Sequence, residues 1–273
     1  MPLTSVIIPC WNALALTRVC LERLERWTTA PYELVLVDNG STDGTAAWLR
    51  AFARRARGPE AVRVLRDARN AGYPAAMNRG LAVSRGRFVV FGNNDAAVTA
   101  GWLEGMLEAF RARPGVGGVA PCSNPPGSVA RGEPWAVRGL YDDAAGLDRL
   151  ACAAQLVRPA APFHPAAGFV PGFWFLTSAA VLARVGAFDE GFSPGGFEDW
   201  DLQWRMRRAG LRLGFAERAY VHHVWSGTAA ARRVRRGTPR WEDRRRRLLA
   251  KHPDAAGQRL EVRRFAGGAC APA

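Results

Sequence analysis

The chain has 273 residues, 48% hydrophobic and 23% charged, a balance that excludes disorder along its whole length. Its 29 Gly and 18 Pro follow no fixed period, which excludes collagen-like and coiled-coil chains. The net charge of +14 is unevenly spread: residues 205–273 hold 18 basic and 5 acidic side chains, whereas residues 1–204 are nearly neutral. Of the 38 basic residues 37 are Arg, as a GC-rich coding bias would give. Such a bias does not explain the asymmetry, so a local anionic partner is expected at the C-terminal end. Five Cys, at positions 10, 20, 122, 152 and 270, are odd in number and lack CxxC spacing. Free thiols in a reducing cytosol are expected, not a disulfide framework or a zinc site.

Met1 to Thr4 runs straight into a strand pattern, so no targeting segment is expected. Ser5–Pro9 is the first short apolar run, and Leu14–Trp27 has helical spacing after a candidate cap at Asn12. Glu33–Asp38 is a second strand, closed by Asn39-Gly40-Ser41, and Thr42–Ala56 a second helix. Val62–Leu65, Ala75–Ser84 and Phe88–Phe91 continue as strand, helix and strand. Short apolar strands alternating with helices predict an α/β fold whose mostly parallel sheet is covered on both faces. Trp102–Phe110 follows as a helix and Val116–Pro121 as a strand, and Cys122–Ala167 reads as an irregular excursion.

Pro159–Ala183 is uncharged and long enough to span a bilayer, but four Pro and two Gly break it. It reads as a buried loop, a strand and the start of the Ser178–Val185 helix, and no transmembrane helix is expected. Gly191–Gly196 has a composition suited to a hinged lid, or equally to a static turn entering the Asp199–Ala209 helix. Beyond Thr228 a basic tail is expected to be helical over Trp241–Lys251.

Parallel sheets bind ligands outside the carboxyl ends of their strands. Asn12, Asp38, Asp67 and Asn93-Asn94-Asp95 follow the first four strands in turn, so carboxylates and amides converge on one rim. Asp95 after a buried strand suits a hard divalent cation, which takes one or two carboxylates plus substrate phosphates, although Asn-Asn-Asp is also a good turn. Phe197-Glu198-Asp199-Trp200-Asp201 puts three acids at a helix start. Capping and dipole compensation account for one or two of them; the set suits a general base with supporting charges. His222-His223 at a strand end is a pair of ligands or a pair of core histidines.

Taken together, Ser5–Asn12, Val37–Thr45, Asn70–Gly80, Phe91–Asp95, Gly186–Phe192, Phe197–Gly210 and His222–Ser226 resemble the inverting family 2 glycosyltransferases, particularly their rhamnosyltransferase-like branch. The resemblance implies the GT-A fold, a Rossmann-like, mostly parallel sheet. It implies a catalytic domain over residues 1–228, with a nucleotide-sugar half (1–121) and an acceptor and base half (122–228), then a basic segment, 229–273. It also implies that Pro9, Asn12, Asp38, Asp67, Asn70, Asn78 and Asn94 line the nucleotide or its diphosphate. Asp95 would be a metal ligand, with Asn93 standing where the family has its first Asp. His222 or His223 would be a second ligand, and Asp199 the base beside Glu198.

The implied partners are a nucleotide-sugar donor, a divalent metal (Mn or Mg) and a saccharide or lipid-linked saccharide acceptor of the cell envelope. A cytoplasmic enzyme is expected, with possible peripheral contact to an anionic membrane through Trp225, Trp241, Leu248 and Leu249. The alternative is a nucleic-acid-binding protein using Arg232-Arg233, Arg235-Arg236 and Arg244–Arg247, but no base-reading motif accompanies them. A nucleotidyltransferase would need a glycine-rich basic loop where Pro9-Cys10-Trp11-Asn12 stands, and a Rossmann oxidoreductase a GxGxxG.

Overall fold

Continuous apolar runs become strands whose neighbouring side chains face opposite layers, both of them buried. The computed structural model describes residues 1–123, 161–223 and 239–257, and the backbone of 263–266 and 269–272. Strands β1 (Thr4–Cys10), β2 (Tyr32–Asp38), β3 (Val62–Arg66) and β4 (Phe88–Gly92) pair in parallel in the order β3-β2-β1-β4. They are joined by α1 (Leu14–Trp27), α2 (Thr45–Arg55) and α3 (Tyr73–Ala82). Val6 and Ile8 face the layer of Leu21, Leu24, Leu49 and Phe52 from α1 and α2. Ile7 faces Met77 of α3 in the opposite layer. The sheet is therefore sandwiched between helices, as the sequence pattern predicts.

The second half adds β5 (Ala96–Val98), α4 (Trp102–Arg111), β6 (Val116–Cys122), β7 (Phe163–Pro165), β8 (Trp174–Ser178) and α5 (Ala179–Val185). Helix α6 (Glu198–Arg208), strand β9 (Arg212–His223) and helix α7 (Pro239–Lys251) follow. β8 runs antiparallel between β4 and β6; β9 is parallel to β6 and antiparallel to β5 and β7. A separate antiparallel hairpin pairs β10 (Arg263–Ala266) with β11 (Ala269–Pro272).

Several expectations change. The predicted elements lie close to their observed bounds, but β5 and β7 have three residues each, too few for a pattern to show. Asn12 does not cap α1: Ala13 holds the cap position, and the Leu14 amide is met from across the loop by Asp43 Oδ2 at 3.1 Å. Cys10 and Cys20 are free and buried, as expected, but Cys122 is disulfide-bonded, against the expectation of free thiols throughout. No helix among the described residues is long and apolar enough to cross a membrane.

The apolar face of α7 is turned inward. Leu248 is buried with Phe192 and Phe197, flanked by Trp200 and Trp241, and Leu249 packs against Phe169, Trp204 and Ala255. The expected interfacial face of Trp241, Leu248 and Leu249 is thus used in packing, and α7 offers solvent a charged face of Arg240, Arg245, Arg246, Arg247 and Lys251 with Glu242 and Asp243 among them. Trp225, Ser226, the Thr228 boundary and Arg232–Arg236 lie outside the described residues.

Helix α4 lies so close to β9 that a Cβ on Gly105 would stand 2.5 Å from the Arg218 carbonyl oxygen. Alanine would add about 1 kcal/mol of helix propensity, but a backbone clash of this kind costs about 1–3 kcal/mol. Gly105→Ala is expected to lower unfolding stability by up to about 2 kcal/mol in urea titration, with a gain in stability showing that β9 yields freely.

Candidate active site

The carboxyl ends of β1 to β4 form one rim, and the strand order reverses at β1, which has β2 on one side and β4 on the other. Asn12 and Asp38 stand at this reversal. Asn12 Oδ1 accepts from the Thr42 amide at 2.8 Å and its own amide donates to Ser41 Oγ, which fastens the β1 loop to the β2 loop. Asp38 is fully buried; its Oδ1 accepts from the Ser41 amide at 3.0 Å, and Arg66 Nε lies 3.6 Å from Oδ2. Asp67 pairs with Arg79 of α3. Pro9 is partly exposed in β1, two residues before the bend.

Three predicted nucleotide residues are engaged with the protein itself. Asn70 Oδ1 accepts from Asn39 Nδ2 and from the Gly72 amide. Asn78 clamps the segment before α6, donating to Phe188 O and Glu190 Oε1 and accepting from the Phe188 amide. Asn94 is buried and donates to Thr17 Oγ1 of α1 at 2.8 Å.

Asp95 and His223 meet across the seam. β5 and β9 pair with Ala96 opposite His223, which sets the preceding carboxylate beside the imidazole. Their Asp95 Oδ1 and His223 Nε2 are 3.1 Å apart, both residues are buried, and the ring stacks on Phe173 at 4.2 Å. Asn93 Nδ2 lies 3.4 Å from the same nitrogen. His222 points the other way, with Nδ1 3.5 Å from the Tyr220 hydroxyl, and burial first, then His223 and Arg23, push it down to about 4. Neighbouring ligand atoms of an octahedral cation with bonds of about 2.1 Å stand about 3 Å apart, so the Asp95–His223 pair fits a divalent ion. Among the described residues no cluster of three such ligands occurs, so remaining ligands would come from water or substrate oxygens.

Glu198 and Asp199 begin α6. Burial, then the charge of Asp199, raises the Glu198 carboxyl well above the usual range; its Oε2 accepts from the Gly196 amide. Burial also raises Asp199, which accepts from the Trp200 amide at 3.0 Å and from the backbone of Gly172. A Cβ on Gly172 would stand 2.5 Å from Asp199 Oδ2, so only glycine lets that backbone approach. Asp199 keeps partial exposure while Glu198 is buried. Phe197, the cap of α6, sits in the left-handed region at φ 69°, a strained conformation for a non-glycine.

Burial, then the charges of Glu198, Asp199 and Asp95, raise the Tyr73 phenol well above its ordinary value. Sequence reading gave Tyr73 no role; its position in Asn70–Gly80 was the only signal. Asp201 was read only as a third acid, yet it is a buried hub. Its Oδ2 accepts from Arg205 Nε and Nη2 at 2.9 and 2.8 Å. Its Oδ1 lies 2.9 Å from His252 Nε2 and 2.7 Å from Lys251 Nζ.

The segment before Glu198 and Asp199 is pinned to α7 and α3 in this conformation. Arg244 donates to Phe192 O and Ser193 O, Ser193 Oγ donates to Ala71 O, and the Tyr73 amide donates to Pro194 O.

Burial alone would raise the Asp201 carboxyl, but Lys251, Arg205 and His252 hold it below the usual range. A depressed carboxyl contributes stability that is complete above its unfolded value of about 4 and is lost as pH falls through the lower folded value. Removing one side of a buried ion pair costs about 3–5 kcal/mol. Asp201→Ala is expected to lose that much in urea titration at pH 7, with the gap to wild type closing below about pH 4.

Residues 5–140 match the family model described as Glycosyl transferase family 2. An uncharacterized protein of Sinorhizobium fredii is 32% identical over 234 residues, covering 81% of this chain and 24% of that protein. A pre-mycofactocin glycosyltransferase of Mycobacterium tuberculosis is 33% identical over 164 residues, covering 59% of this chain and 32% of that enzyme. The chain thus spans 24–32% of the length of these relatives. A solved mannosyltransferase of Pyrobaculum calidifontis, in complex with GDP-Man and Mn2+, covers 94% of this chain and 66% of its own. It has a TM-score of 0.63 at 20% identity, a likeness of fold. None of these relatives supports the nucleic-acid-binding alternative. Over residues 5–140 the chain carries a glycosyltransferase family 2 domain, built on the GT-A fold.

Proposed function

We propose that the protein transfers a sugar from a nucleoside-diphosphate sugar to an acceptor hydroxyl, with inversion at the anomeric carbon. The observation that carries this reading is the buried Asp95–His223 pair after β4, together with the adjacent acids Glu198 and Asp199 at the start of α6, whose preceding turn is tied to α3 by the Tyr73 amide. Asp199, the more accessible of the adjacent acids, is the base: burial raises its proton affinity, which suits it to take a hydroxyl proton. The acceptor oxygen forms its bond to the anomeric carbon as the bond to the diphosphate breaks, and the leaving oxygen takes the electron pair. Asp95 and His223 would hold a divalent cation, Mn or Mg, which supplies positive charge to the leaving diphosphate when bound. The Mn2+ of the Pyrobaculum calidifontis enzyme supports that assignment. His222, neutral and turned toward Tyr220, is left to the core.

Asn12, Asp38 and Asp67 frame the nucleotide end, with Pro9 beside them. Asn70, Asn78 and Asn94 act there through the backbone and side chains they hold in place. The rhamnosyl or other hexosyl donor, and a saccharide or lipid-linked saccharide of the cell envelope as acceptor, follow from the resemblance of the motifs. An action at the cytoplasmic face of the membrane belongs to the same proposal. With the apolar face of α7 packed inward, contact with an anionic leaflet would rest on its exposed arginines.

Asp95→Ala is expected to abolish Mn2+-supported nucleotide binding in calorimetry; unchanged affinity would remove Asp95 from the metal site. Asp199→Asn is expected to lower turnover at least ~10²-fold with donor affinity retained, the scale of a lost general base. A mild Asp199→Asn beside a crippling Glu198→Gln would exchange the two roles. Turnover should also fall on acidification at a pH above the ordinary carboxylate value of ~4, since burial raises both acids.

A further inference from the structure

A buried arginine of the C-terminal helix reaches the turn that precedes the base, 52 residues earlier in the chain. Arg244 Nε donates to Phe192 O at 3.1 Å and Nη2 to Ser193 O, while Nη1 is held by Arg240 O of its own helix at 3.0 Å. We infer that Arg244 is a positioning residue for the Glu198–Asp199 pair, acting through the Phe192–Gly196 turn. The inference rests on the proposal that Asp199 is the base.

From those two carbonyls the chain leads directly to the acids. The Gly195 amide donates to Phe192 O at 3.0 Å, so the oxygen that Arg244 holds is the same one that closes the turn. The Gly196 amide then donates to Glu198 Oε2, and Phe197 turns left-handed to start α6, its carbonyl accepting from the Asp201 amide at 2.9 Å. A displaced turn would move the first turn of α6, where Asp199 sits. The fork is seated by packing: Trp241, Arg244 and Leu248 share one face of α7 at i, i+3 and i+7. Trp241 lies 5.2 Å from Phe197, and Leu248 is buried with Phe192 and Phe197. Arg245 and Arg246, the next residues in the same run, are exposed, and Arg247 lies over the Phe192 ring at 5.2 Å and pairs with Asp189, so of the four it is Arg244 that holds the turn's carbonyls.

The contact has an electrostatic side as well. Among the described residues, the charged groups that act on Glu198 are Asp199 on its own helix and Arg244 from α7, of which Arg244 is the positive one, and Glu198 in turn acts on Tyr73 of α3. A lysine would keep the charge but not span two carbonyls, because the planar guanidinium fork is what matches them.

The test uses the full chain and nucleotide release from whichever UDP-, GDP- or dTDP-sugar the wild type turns over. Arg244→Met is expected to lower kcat at least ~10-fold with donor KM within ~2-fold, and to move the acid limb upward by ~0.5 pH or more. Arg244→Lys is expected to return the acid limb toward the wild-type position while recovering only part of kcat. Trp241→Ala, which loosens the helix without removing the charge, serves as the packing control and should leave the limb in place. Wild-type kcat and limb in Arg244→Met overturn the inference, as does a Trp241→Ala variant that reproduces both changes. If Arg244→Met melts below the assay temperature, Arg244→Lys decides: full kcat overturns the inference, and reduced kcat at unchanged KM supports it. Asp199→Asn run in parallel separates the two levels. Full activity there sinks the base assignment and this inference with it, whereas an inactive Asp199→Asn beside a wild-type Arg244→Met sinks this inference alone.

Discussion

Two adjacent carboxylates, Glu198 and Asp199, are held largely away from water at the start of one helix, and the surrounding structure is arranged to make that tolerable. A desolvated carboxylate is costly unless hydrogen-bonded or paired, and a neighbour of like charge adds to the cost. Backbone amides meet part of it, from Gly196 to Glu198 and from Trp200 and Gly172 to Asp199. The positive end of α6 and the charge of Arg244 meet more. What is left uncompensated is the raised proton affinity of both acids, the property a base needs. The same arrangement accounts for Gly172, where no side chain fits, and for the left-handed Phe197.

The C-terminal helix is therefore packed into the candidate site. Arg244 faces the turn before Glu198 and Asp199, Arg247 and Lys251 face Asp189, and Lys251 and His252 face Asp201. Part of the basic excess at this end of the chain is thus answered within the molecule. Arg240, Arg245 and Arg246 remain on the exposed side. A long-range anionic partner, if engaged by α7, meets these outward residues and not the ones that brace the site.

The other side of the site depends on a seam between two kinds of sheet. The parallel strands β1 to β4 bring polar residues to one rim, but a second strand system has to cross them to supply an imidazole. Asp95 leaves β4 and enters the short strand β5, whose antiparallel partner is the end of β9. The pairing of Ala96 with His223 sets the carboxylate and the imidazole together, and strand alternation turns His222 away. Tyr73, at the start of α3, is tied by its amide to Pro194 in the turn that precedes Glu198 and Asp199.

The parallel half of the fold was legible in the sequence because β1, β2 and β4 are continuous apolar runs and α1, α2 and α4 keep helical spacing, patterns that burial writes directly into composition. The acids Asp95 and Asp199 were legible because their motifs sit where strands and helices end. β5 and β7 were not, since three residues carry no period and owe their conformation to β9. Nor could the sequence choose between His222 and His223, because alternation says that the two differ, while only the register with β5 says which one meets Asp95. In Arg244–Arg247, helical spacing from Trp241 and Leu248 fits Arg244 (i+3, i−4) and Arg245 (i+4, i−3) equally, and only the packing of α7 makes Arg244 the inward residue. What it faces was decided by tertiary structure alone: carbonyls 51 and 52 residues away come within reach only once α7 lies across the base turn.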